Sequence, residues 1–224
     1  MPNKFIFSPE TIIKAYSVGV FPMAQSRDDP ELRFYEPAIR GIIPINPPHI
    51  PRRLIRFARQ SRWQVRFDSA FADVVRHCAE MRADNTWINA EIETLYFALH
   101  KMGFGHSVEI WDHDRLIGGL YGLSLGSAFF GESMFSEESN ASKMALAFLM
   151  AALHKAKFTL LDAQFSSEHL RQFGLIDASA RIQTGPSFST KPAFGHASSS
   201  KPARNISSFT AAKKRYIING MLKP

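Results

Sequence analysis

Cysteine occurs once, as Cys78, so no disulfide can close within the chain and no zinc site of several thiolates can form. Cys78 falls in the apolar series Phe71, Val74, Val75, Cys78, whose helical spacing reads as core rather than nucleophile. Tryptophan and tyrosine are scarce, at 3 and 5 residues against 19 phenylalanines, a bias that favours dry packing or an apolar pocket over a polar aromatic surface. No apolar run approaches the roughly 20 residues that span a bilayer, and the N-terminus lacks a charged-then-apolar secretory signal. A cytoplasmic protein without membrane contact is therefore expected. Nucleotide signatures are missing too: neither G-x-G-x-x-G nor G-K-[ST] occurs. Arg115-Leu116-Ile117-Gly118-Gly119-Leu120 departs from a coenzyme-A pyrophosphate loop at its last position and falls in a hairpin pattern. Paired-histidine metal spacing is not found either.

Acidic residues stop at Asp177, while eight basic ones follow it, from Arg181 to Lys223. Subtracting those eight from 27 leaves 19 basic against 20 acidic residues, so the net charge of +7 belongs to the tail and the body is nearly neutral. One body segment departs from that balance. Between Glu36 and Asp68 there is no acid, yet Arg40, Arg52, Arg53, Arg56, Arg59, Arg62 and Arg66 all occur. Spacings of three and four predict guanidiniums on one helical face, which is either a solvated face or a phosphate-binding one.

What is present reads as a mixed fold. Ser8-Pro9-Glu10 opens a helix, with Ser8 as N-cap and Pro9 in the first turn, and Gly19 closes it. Five prolines between residues 37 and 51 restrict that stretch to short strands and turns. Ser69–Met81 and Ala90–Met102 carry helical apolar spacing. His106–Trp111, Arg115–Leu123 and Ser127–Phe130 read as strands, with Asp112-His113-Asp114 as a turn. Ser142–Lys155 is a strong helix, Phe158–Asp162 a buried strand, and Ser167–Phe173 a short helix closed by Gly174. This order predicts an α+β fold: an N-terminal α/β domain over 1–90, an acyltransferase-like catalytic domain over 91–183, and a Ser/Pro-rich basic tail over 184–224 without expected structure.

Two segments can carry chemistry. Phe129-Phe130-Gly131-Glu132-Ser133-Met134-Phe135 sets a carboxylate among apolar residues. That suits a pocket for an apolar side chain with something cationic beside it, or else a strand-end acid facing solvent. Leu161-Asp162-Ala163-Gln164 ends a strand with two polar residues two apart, predicted to share one face. They could hold an attacking amine in line; Gln is a poor base, so positioning is the more physical role. His106 and His169 are candidate bases or ordinary structural histidines.

Taken in order with Ala15-Tyr16-Ser17-Val18-Gly19-Val20-Phe21-Pro22, Thr86-Trp87-Ile88, His106–Trp111, Gly118-Gly119-Leu120-Tyr121-Gly122, Ala141-Ser142-Lys143 and His169-Leu170, these segments resemble the leucyl/phenylalanyl-tRNA–protein transferase family over about residues 5–175. The family's opening Gly-Gly-Asp-Leu-Ser-type run has no counterpart here, and its Trp-Trp-Ser-Pro stands as Phe34-Tyr35-Glu36-Pro37.

The resemblance implies transfer of Leu or Phe, and sometimes Met, from aminoacyl-tRNA to an N-terminal Arg or Lys of a protein. The product carries an N-degron, and the catalytic domain has a GNAT-like fold. By the same resemblance Asp162 and Gln164 orient the amine and Glu132 positions the aminoacyl-adenosine. Gly131, Met134, Leu120, Leu146, Leu149 and Leu161 line the donor pocket. Trp87, Tyr96 and Tyr35 contact the adenosine or acceptor end, and Arg52, Arg53, Arg56 and Arg59 contact tRNA phosphates. No cofactor or metal is implied, and a monomer is expected. Two rival readings keep the same residues: a tRNA-dependent transferase with a cell-wall peptide as acceptor, and a tRNA-binding protein without catalysis.

Overall fold

The computed structural model describes residues 7–81 and 86–179. The basic tail from 184 onward lies outside the described residues. A seven-stranded sheet dominates, in the order β4-β5-β6-β7-β8-β3-β9. Its strands are β3 (Ile39–Ile43), β4 (Gln64–Phe67), β5 (Gly105–Asp112), β6 (Arg115–Leu125), β7 (Ala128–Ser136), β8 (Leu160–Asp162) and β9 (Ile176–Ser179). Every neighbouring pair is antiparallel except β7 and β8. Parallel strands need a crossover, and helix α5 (Ala141–Lys155) supplies it. A separate hairpin pairs β1 (Phe21–Met23) with β2 (Arg33–Tyr35).

Helices α1 (Pro9–Ser17), α3 (Phe71–Glu80) and α4 (Ala90–Lys101) share one apolar cluster with Phe21, Tyr121, Leu123 and Phe130. Helix α2 (Arg52–Gln60) and α5 form the other cluster with Ile43, Val108 and Leu161. In α5, 11 of 15 residues are buried, as expected of a helix apolar nearly all round. The local signals act as predicted at several ends. Ser8 accepts from the Thr11 amide, Gly19 takes φ +87°, His113 turns β5 into β6 at φ +55°, and Gly174 follows the short α6 (Glu168–Arg171) at φ +80°. The N-terminus of α3 has no cap of its own; Glu109 from β5, fully buried, accepts from the Ser69 amide and hydroxyl instead.

The sheet takes strands from both sides of residue 90. β3 pairs with β8 and β9, and β4 pairs with β5, so cutting the chain at 90 severs three strand pairings. Neither β4 nor β9 announces itself in the sequence, because each is only four residues long.

The glycines of Gly118-Gly119-Leu120-Tyr121-Gly122 have a packing explanation at Gly122. A Cβ there would lie 2.2 Å from the Phe130 carbonyl oxygen and 2.4 Å from the Phe129 ring, so β6 and β7 approach closely only without it. Gly131 differs: its nearest neighbour would be the Asp162 carbonyl oxygen at 3.7 Å, because it faces open space.

Candidate active site

That open space is a cavity of about 610 Å³ between β7, β8 and the start of α5. Leu120, Gly131, Met134, Leu146, Leu149 and Leu161 all line it, as do Trp87, Glu132, Asp162 and Gln164. Its wall therefore combines a set of leucines and Met134 with a carboxylate pair and a carboxamide.

A β-bulge delivers Glu132. Tyr121 faces Ser133 and Gly122 faces Gly131, which leaves Glu132 as an additional residue on β7. Such insertions re-aim a side chain. The Glu132 carboxylate Oε1 accepts from the Tyr16 hydroxyl at 2.7 Å and from the Gln164 carboxamide nitrogen at 3.2 Å. Behind it the Tyr16 and Tyr96 hydroxyls lie 2.5 Å apart, and both rings are buried. With Tyr16 donating to Glu132, Tyr96 is the donor to Tyr16. Burial pushes the Glu132 carboxyl up to about 7, against the opposing pull of the two tyrosine hydroxyls. Burial first, and the Glu132 charge second, raise both tyrosines well above their usual value.

Asp162 ends β8 and is 1% exposed. Its Oδ1 accepts from the Gln164 backbone amide at 2.8 Å, and its Oδ2 lies 2.9 Å from the Arg40 Nε. Arg40, itself only 2% exposed, also donates to the Gly19 carbonyl and sits over the Phe21 ring, 5.5 Å from its centroid. Burial raises the Asp162 carboxyl even so, outweighing Arg40 and the Gln164 amide. Gln164 is not on the strand. It follows β8 with φ +54°, so the two residues converge through a left-handed turn closed by the Asp162 carboxylate, where strand alternation was expected. Asn and Asp tolerate that backbone region better than Gln does, so the Asp162 contact holds a conformation that Gln164 would not favour alone.

Other predicted residues stand elsewhere. Tyr96 supports Glu132 from behind and does not line the cavity. Tyr35 stacks on Phe21, centroids 6.4 Å apart, and it is Phe21 that reaches the wall. Of the arginine series, Arg52, Arg53, Arg56 and Arg59 are exposed on α2, which buries Leu54, Ile55 and Ala58. The series does not continue as one face: α2 ends at Gln60, Arg62 pairs with Asp112 at 3.1 Å, and Arg66 lies 4.5 Å over the Trp111 ring. His169 lines the cavity, and burial together with Lys143 holds its imidazole below the usual value. His106 is buried against Asp68 at 2.9 Å, a structural pair. Among the described residues no group of three or more His, Cys, Asp or Glu could hold a metal ion.

Sequence reasoning overlooked Tyr16 and Arg40 as parts of the site. Tyr16 stands in a segment that carries the resemblance, but nothing local marks its hydroxyl. Arg40 lies in the acid-free stretch, where it reads as one more surface cation.

Residues 42–182 match the family described as leucyl/phenylalanyl-tRNA protein transferase, and residues 6–38 match that family's N-terminal domain. A leucyl/phenylalanyl-tRNA–protein transferase of Hyphomonas neptunium is 55% identical over 175 residues, covering 77% of this chain and 68% of that protein. One from Paramagnetospirillum magneticum is 51% identical over 167 residues, covering 74% and 80%. In structure the chain is similar to FemX, with a TM-score of 0.51 at 12% identity over 76% of this chain and 66% of FemX, a likeness of fold alone. The chain belongs to the leucyl/phenylalanyl-tRNA–protein transferase family, an aminoacyltransferase passing an amino acid from tRNA to protein N-termini.

Proposed function

We propose that the donor amino acid is Leu or Phe, with Met admitted, and that the acceptor is an N-terminal Arg or Lys of another protein. The observation that carries this reading is the hydrogen bond between Gln164 and Glu132 in the wall of a cavity that Leu120, Met134, Leu146, Leu149 and Leu161 also line. An unbranched or γ-branched apolar side chain fits among Leu120, Met134, Leu146, Leu149 and Leu161. Glu132, in the same wall, suits the donor's α-ammonium and thereby positions the aminoacyl-adenosine.

In the transfer, the acceptor's α-amine nitrogen forms a bond to the ester carbonyl carbon. The bond from that carbon to the ribose oxygen breaks, and that oxygen leaves with a proton. The ester is already activated, so alignment can supply much of the rate. Gln164 donates its amide nitrogen to Glu132, which turns its carbonyl oxygen toward acceptance of an amine N–H. Asp162 has both carboxylate oxygens engaged by Gln164 and Arg40. It acts by holding the Gln164 turn, not by removing a proton.

The organisation we propose is a GNAT-like catalytic unit over 91–183, completed by β3 and β4 from residues 1–90. Trp87 at the cavity wall is placed to meet the terminal adenosine, whereas Tyr96 and Tyr35 act through Tyr16 and Phe21. Exposed Arg52, Arg56 and Arg59 meet acceptor-stem phosphates by shape and charge. We take the enzyme to act as a monomer in the cytoplasm, where a lone free cysteine is at home.

The test is transfer of radiolabel from Phe-tRNA to three peptides: one beginning with Arg, the same peptide N-acetylated, and a cell-wall pentapeptide. Label on the free-Arg peptide alone is expected. Label on the cell-wall peptide, or on none with tRNA binding retained, overturns the acceptor assignment or the chemistry respectively.

A further inference from the structure

A second cleft, of about 420 Å³, opens between α2, the first turn of α5 and the C-terminal side of α6. Arg53, Lys143, Asn140 and Gln172 line it with the Phe57 ring. Neither Arg53 nor Lys143 has a carboxylate within ion-pair distance among the described residues, whereas Arg27, Arg33, Arg40, Arg62, Arg76, Arg115 and Arg171 each have one. The start of α5 is also short of negative charge: its first turn has no acid, and the Asn140 side chain makes no capping bond. Ala141 and Ser142 donate their amides to the Glu138 carbonyl and the Ser136 hydroxyl, but the Lys143 amide meets no acceptor among the described residues. The Gln172 carboxamide nitrogen already donates to the His169 carbonyl at 2.7 Å, but two cations, the Asn140 carboxamide and an unmatched backbone N–H, with no acid in the wall, make a cleft suited to an anion.

Its position says which anion. Ser142 lines the main cavity and Lys143, the next residue, lines the second cleft. On α6 and its end, His169 faces the main cavity and Gln172 the second cleft. One helix turn on each side therefore separates the two. A nucleoside held in the main cavity would have its 5′ phosphate and the rest of its strand outside it, and the cleft across that wall is an adjoining cationic one. Arg53 accordingly parts from Arg52, Arg56 and Arg59, which do not line the cleft.

We infer that the cleft between α2, α5 and α6 is a phosphate subsite in which Arg53 and Lys143 hold a backbone phosphate of the tRNA's single-stranded 3′ end, adjoining the aminoacyl-adenosine. This rests on the reading of the main cavity as the aminoacyl-adenosine site. Contacts of this kind fix register without reading bases.

The test uses two donors that differ in phosphates: phenylalanyl-adenosine, which has none, and the phenylalanylated trinucleotide CCA. If wild-type enzyme fails to use phenylalanyl-adenosine, the reading of the main cavity fails, independently of the cleft. Given that activity, the double variant Arg53→Ala/Lys143→Ala is expected to keep kcat/KM for phenylalanyl-adenosine within about twofold, which also shows that it is folded. Its KM for the trinucleotide should rise by about 30-fold, the scale of losing charge-assisted hydrogen bonds, and Arg53→Lys/Lys143→Arg should recover most of it. An equal loss with both donors, or a loss seen only with whole tRNA and not with the trinucleotide, overturns the assignment.

Discussion

The Gln164 backbone amide donates to the Asp162 carboxylate at 2.8 Å while Gln164 holds φ +54°, so the acid at the end of β8 fixes the residue that we propose orients the acceptor amine. Removing that acid should act through geometry. Asp162→Ala is expected to lower kcat about 100-fold, the scale of misplacing a reacting group by an ångström, and to leave the tRNA Kd within twofold. It should also destabilise the fold by about 3–5 kcal/mol, because Arg40 is left as an unpaired buried charge. Rapid-quench kinetics and urea unfolding check the two halves separately.

Glu132 makes the enzyme sensitive to pH in a defined direction. Its carboxyl is raised from 4.5 to about 7 in the folded protein, so the folded state holds that proton more tightly than the unfolded chain. The corresponding stability is fully present below pH 4.5 and is lost as pH rises through about 7. Glu132→Gln removes this dependence, and above pH 7 it should gain up to about 3 kcal/mol relative to wild type on this count. Activity should move oppositely, because an ionised Glu132 is needed to hold the donor's ammonium. A rising limb near pH 7 in wild type and its absence in Glu132→Gln are expected in a pH–rate profile.

Tyr16→Phe removes a hydroxyl that donates to Glu132 at 2.7 Å. That bond favours the ionised carboxylate, so its loss should carry the rising limb to higher pH. Tyr96→Phe removes the smaller of the two hydroxyl pulls on Glu132 and should move it less. A change in maximal rate without movement of the limb would contradict the relay.

Two glycines separate cavity from packing. Gly131→Ala places its methyl 3.7 Å from the nearest atom, so the fold should tolerate it, with the donor preference moving from Phe toward smaller side chains. Gly122→Ala meets the Phe130 carbonyl oxygen at 2.2 Å and should cost about 1–3 kcal/mol as an overpacked site. Thermal denaturation together with Leu-tRNA and Phe-tRNA competition distinguishes the two outcomes.

Charge reversal at Arg56, exposed on α2, should weaken tRNA binding and reduce the salt slope of log Kd by about one phosphate contact, while single-turnover transfer at saturating tRNA stays within twofold. Filter binding over a salt series measures both.

Periodicity made α3, α4, α5 and the strands β5 and β6 legible, because each is long enough to repeat its pattern several times; of β7 only the start was legible, as Ser127–Phe130, because the bulge at Glu132 breaks its alternation. Short strands such as β4 and β9 depend on neighbours for their hydrogen bonds, and four residues carry too little pattern to reveal them. The residues lining the main cavity were legible through the resemblance and through the composition around Glu132. The supports of the site were not: Tyr16 reaches Glu132 across 116 residues, and Arg40 meets Asp162 only because β3 inserts beside β8. The proximity of Asp162 and Gln164 was legible, but by strand alternation, where a left-handed turn is what brings them together.

The most direct measurement is the single-turnover rate of Phe transfer from Phe-tRNA to an Arg-initiated peptide by Gln164→Ala, with tRNA Kd determined in parallel. Positioning of the amine by Gln164 predicts a rate lower by about 100-fold or more at unchanged Kd. A rate equal to wild type, or one that falls only as far as tRNA binding falls, would contradict it.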